Sequence, residues 1–115
     1  MLLTVADPDL ARVLCAQALL VETWRDAARE VMMLLQVLRS ARPTLADVIA
    51  VGMVALTASP VTRSAIVLTY RRVSLVALGL REDGSVVQAA PDHAEEVSCL
   101  EIQSLQVAPA VQAAR

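Results

Sequence analysis

Residues 8–42 read PDLARVLCAQALLVETWRDAAREVMMLLQVLRSAR, and the spacing of their apolar positions governs how the chain is built. Leu10, Leu14, Gln17, Val21, Trp24, Ala28, Val31, Leu35 and Leu38 succeed one another at intervals of four and three. This is the seam pattern of helices that pack along their length. Asp7-Pro8-Asp9 opens the segment as a helix start, with Asp7 at the N-cap, Pro8 at the first helical position and Asp9 at the positive end of the dipole. Arg39 and Arg42 suit the negative end, and Pro43 stops the helix.

One helix over this span would be about 50 Å long at roughly 1.5 Å per residue. A compact domain of this length should be only about 35 Å across. The helix would therefore overhang its own domain unless a second copy or a partner covered it. A break within Glu22–Asp26, with Thr23 and Asp26 as a capping box, is the alternative. No Gly or Pro lies there, and Glu22/Arg25 and Asp26/Arg29 sit at helical i,i+3 spacing, which favours continuity. The flank adds Val13, Leu20, Ala27 and Leu34, widening the stripe to the face of a helix on a globular core. Met32 and Met33 lie off the stripe as adaptable contact residues. The expected dimer or partner interface is thus Leu10, Leu14, Gln17, Val21, Trp24, Val31, Met32, Met33, Leu35 and Leu38. Gln17 would set register, and Trp24 would serve as the one large anchor.

Beyond this segment, Thr44 and Asp47 open a second helix expected to run to about Ala58. It is apolar on most sides and should be buried. From Arg63 the texture changes to β. Ala65–Tyr70 and Val73–Leu80 are runs rich in β-branched and aliphatic residues, and Asp83-Gly84 is a hairpin turn signal. Ser85–Ala90 should return as a strand, and Glu96–Val107 should form a last one with a bulge or a two-sided polar edge near Glu101–Ser104. Residues 1–6 make a short lead-in or edge strand, and residues 109–115 read as a disordered tail. The fold class is α+β: a long N-terminal helix and a buried second helix on a three- to four-stranded antiparallel sheet, in one domain over residues 1–108.

Composition narrows the function. Hydrophobic residues make up 57% of the chain, above the roughly 45–50% of ordinary domains, yet only Trp24 and Tyr70 are aromatic. No run of about 18 uncharged apolar residues exists, so no transmembrane helix is expected. The start of the chain lacks a basic region, which argues against a signal peptide. Cys15 and Cys99 imply no disulfide framework and read as buried thiols in a reducing, intracellular compartment. All ten basic residues are Arg, with no Lys, Asn or Phe, the usage of a GC-rich coding sequence such as that of a high-GC bacterium or a virus. The net charge of −2 and the shortage of aromatics argue against nucleic acid.

Charge is segregated. Arg39, Arg42, Arg63, Arg71, Arg72 and Arg81 face only Asp47 within residues 39–81, whereas residues 82–101 carry six acids and no base. Arg63, Arg71, Arg72 and Arg81 are candidates for contact with an anion or an acidic partner. His93, the only histidine, neighbours Asp92 and Glu95, with Cys99 six residues on. No zinc, phosphate-loop or nucleophile-elbow motif is present, so no catalytic residue, metal or cofactor is expected. These features imply a non-enzymatic interaction module, adaptor, chaperone-like or accessory regulatory, that forms a homodimer through its long helix. The alternative is a small hydrophobic-ligand or lipid-binding protein with a pocket between the second helix and the sheet.

Overall fold

The computed structural model describes residues 1–39, 44–59, 64–88 and 90–108. Arg42, Pro43, Arg63 and the 109–115 tail lie outside the described residues. The class is α+β, with helices packed on a five-stranded mixed sheet. In chain order the elements are β1 (Leu2–Val5), α1 (Pro8–Cys15), α2 (Gln17–Trp24), a 3-10 turn at Arg25–Ala27, α3 (Ala28–Arg39), α4 (Leu45–Ala50), β2 (Ala55–Ala58), β3 (Ala65–Tyr70), β4 (Val73–Leu80) and β5 (Cys99–Val107).

The long N-terminal helix is corrected to three pieces. The start is as expected, with Asp7 accepting the Asp9 N–H at 2.9 Å and Pro8 leading the first turn. At Ala16 the backbone turns extended (φ −122°, ψ 112°), with no Gly or Pro to announce it. On a straight helix Leu14 and Leu20 would stand about 120° apart, at the two edges of the widened stripe, because six residues span about 600° of rotation. The bend turns both inward, to 6% and 3% exposure. It also rotates Gln17 and Val21 out of the stripe and into solvent. A second break falls at Arg25 (φ 48°, ψ −111°), and Ala27 and Ala28 behind it are small enough to bury against the core. From there α3 follows its sequence pattern, with Val31, Leu34, Leu35 and Leu38 inward at one-turn spacing. The molecule measures 44 × 33 × 28 Å, too short for the unbroken helix.

The second helix is shorter than expected. Its capping box forms, the Asp47 carboxylate taking the Thr44 N–H at 3.3 Å and the Thr44 hydroxyl at 3.0 Å. It stops at Ala50 because Gly52 adopts φ +86° and donates its N–H to the Ile49 carbonyl at 2.9 Å, a glycine helix stop. Residues Ala55–Ala58, expected as helix, are instead the edge strand β2, antiparallel to β3.

The strand order is β1-β5-β4-β3-β2. β3 and β4 form a two-residue hairpin over Arg71-Arg72, with Tyr70 opposite Val73. β4 and β5 are antiparallel, and Gln103 is the extra residue between the Val76–Ser104 and Ala77–Ile102 pairs, a bulge within the expected segment. β1 runs parallel to β5, which makes the sheet mixed rather than antiparallel. The Arg81–Ser85 turn forms, with Asp83 accepting from the Ser85 amide at 2.9 Å. Among the described residues of Ser85–Ala90 the expected strand does not form; Val86 makes an isolated bridge to Leu80. One face of the sheet carries Ile66, Leu68, Val73, Leu75, Leu100 and Ile102, all at or below 1% exposure, against α3 and α4.

Candidate functional site

Along the N-terminal segment, folding divides the expected interface residues. Leu14, Val31, Leu35 and Leu38 are buried in the core, and Leu10, Trp24 and Met32 are half-buried. Gln17, Val21 and Met33 are exposed. The continuous seam is therefore absent from the folded chain.

In its place stands a cleft of about 540 Å³ between the α1–α2 elbow and α3. Leu14, Cys15, Gln17 and Leu20 line one wall, and Met32, Leu35, Gln36 and Arg39 the other. The bend at Ala16 makes this cleft, because it lifts the start of α2 away from the line of α1. The buried leucines give it an apolar floor, and Gln17, Gln36 and Arg39 give it an exposed polar rim. The size suits a small ligand or the side chains of a bound segment. Cys15, expected as a buried thiol, is exposed on the wall. Cys15, Gln36 and Arg39 carry no periodic signal in the sequence; only knowledge of the two breaks places them together with Leu20. The cleft lies between α1, α2 and α3, not between α4 and the sheet, where Leu45 and Val48 are fully buried.

The arginine candidates do not converge. Arg71 and Arg72 sit at one end of β4 and Arg81 follows the other end, about 25 Å away at roughly 3.3 Å per residue. Arg71 lies over the Tyr70 ring, 5.6 Å from its centroid. Arg72 Nε lies 3.3 Å from Glu30 Oε2 on α3, and its Nη1 lies 3.4 Å from Asp26 Oδ2. The hydrogen bonds to Glu30 push the Arg72 guanidinium pKa further up. Arg81 pairs with Glu96 at 2.9 Å and also donates to Ser85 and the Val86 carbonyl. Part of the segregated charge is thus matched within one chain, and both Arg72 and Arg81 tie loops to the body.

His93 Nδ1 lies 3.3 Å from Glu96 Oε2. His93, Glu95 and Glu96 bring ligand atoms within 4.8 Å of one another, all on exposed side chains. Burial pushes the Cys99 thiol up, and the Glu101 charge adds to it, which disfavours the thiolate a nucleophile needs. Among the described residues no helix is long and apolar enough to cross a membrane. No family model, curated protein or solved structure matches the chain.

Proposed function

We propose that this chain is a non-enzymatic protein–protein interaction module, with an adaptor, chaperone-like or accessory regulatory role, that self-associates through its N-terminal helical segment. The observation that carries the reading is the apolar-floored cleft between the α1–α2 elbow and α3, on a segment that also leaves Val21 and Met33 exposed. A wall of leucines with Met32 is a surface that can repack against another helix. Light scattering on a gel-filtration column across a dilution series tests it. A dimer of the 12.3 kDa chain is expected, weakened by the paired Val21→Glu and Met33→Glu changes. A monomer at every concentration would sink it.

A second reading is favoured by Arg39. A guanidinium at the mouth of an apolar cleft suits a carboxylate-headed hydrophobic ligand. Native mass spectrometry would then show a co-purifying acyl species, lost in Arg39→Glu, on a protein whose mass does not depend on dilution.

A further inference from the structure

We propose that two copies of this chain exchange their N-terminal arms, residues 1–24, by straightening at Arg25 so that α2 and α3 fuse into one helix. The inference deepens the self-association reading above and rests on it.

The hinge is strained. Arg25 holds φ 48° and ψ −111°, a region that a side chain with a Cβ occupies at a cost and that glycine occupies freely. No glycine stands here to favour the positive φ. No Gly or Pro lies between Asp9 and Arg39, and Glu22/Arg25 and Asp26/Arg29 would both face each other across one turn of a continuous helix. With the arm folded back, Trp24 and the β1 residues Leu3 and Val5 pack against the core on the near side of the break.

The arm is also less deeply buried than the body. None of the largest fully buried side chains belongs to residues 1–24. Its anchors are Leu14 and Leu20, the half-buried Leu3, Val5, Leu10, Val13 and Trp24, and the short parallel pairing of β1 with β5, and the cleft lies in the joint between arm and α3. The far side of the hinge is fixed, because Arg72 grips Asp26 and Glu30 from the β3–β4 hairpin. Motion is thereby confined to the residues just before Asp26.

Straightening would make Gln17–Arg39 a single helix about 34 Å long. It would lift the arm off its own body. A second copy returns the same arm to the same place, so that β1 pairs with the partner's β5 and Leu14 and Leu20 fill the partner's sites. The exchange is isologous and closed, and it removes the strain at both hinges. Strained short hinges favour this outcome.

Two substitutions at one position separate the states. Arg25→Gly relaxes the closed backbone and weakens the fused helix. Arg25→Ala leaves the closed form strained and favours the fused helix. The dimer association constant should be at least about tenfold greater for Arg25→Ala than for Arg25→Gly. Circular dichroism would confirm that both are folded. Chain exchange is then read directly by placing cysteines at Thr4 and Glu101, register neighbours across β1 and β5, with Cys15 and Cys99 changed to Ser. After oxidation, the dimer fraction should run as a covalent dimer on a non-reducing denaturing gel. A dimer fraction that yields only internally bridged monomers would overturn the exchange while leaving self-association intact. Absence of any dimer would overturn both.

Discussion

The N-terminal arm and the body behind Arg25 are both rich in leucine and valine, yet they use them differently. The arm buries two side chains, Leu14 and Leu20, over 24 residues. α3 alone buries five in twelve. The body has sheet, α3 and α4 in one layered core, where helix period and strand period agree on which face is inside. The arm is bent twice, carries a cleft at its joint and leaves Val21 exposed. Apolar composition therefore does not measure burial; the direction in which each side chain can point does.

The contrast can be broken most decisively by truncating one leucine in each region. Leu38→Ala, fully buried in α3, should lower unfolding free energy by about 4 kcal/mol. Leu14→Ala, beside existing space, should cost about 2 kcal/mol. Equal losses by denaturant titration would mean that the arm is as integral as the core. Amide hydrogen exchange sharpens the same point. The β1 amides should exchange about a hundredfold faster than those of β3 and β4, since the arm can open without global unfolding.

The cysteines probe the boundary chemically. Cys15, exposed on the cleft wall, should react with iodoacetamide about tenfold faster than Cys99, whose thiol is pushed up by burial. Similar rates would contradict the placement of either residue. The smallest effect concerns the body's exposed turn. Hydrogen bonds from the Ser85 hydroxyl and amide hold the Asp83 carboxyl below its ordinary range. Its contribution is present above the ordinary carboxylate pKa and is lost as pH falls through the lowered folded value. Asp83→Asn should therefore reduce stability slightly at pH 7 and narrow the loss on acidification, read as melting temperature against pH.

Elements signalled by adjacent residues were legible in the chain itself. Asp7-Pro8, the Thr44/Asp47 capping box, the Asp83-Gly84 turn and the bulge at Gln103 each depend on chemistry within a few positions. The apolar run from Val48 to Leu56 reads as helix to about Ala58, and that the helix ends before Gly52 is visible only in the positive φ the glycine takes in the fold. The parallel pairing of β1 with β5 joins Leu2 to Cys99, and no local pattern specifies so distant a partner. The cleft was hidden for the same reason: its walls come from two helices whose relative direction depends on Ala16 and Arg25.

The amino-acid sequence by itself determined the α+β class, the caps and turns, and the inward stripe of α3, because propensity, capping and periodicity act over one or two turns of chain. Tertiary structure decided between the continuous helix and the break within Glu22–Asp26, and it alone set the bend at Ala16, the mixed sheet and the cleft beside Arg39. Leu14 and Leu20 are buried on either side of an extended Ala16 that no Gly or Pro announces, and chemistry acting over one or two turns of chain gives no signal for that bend.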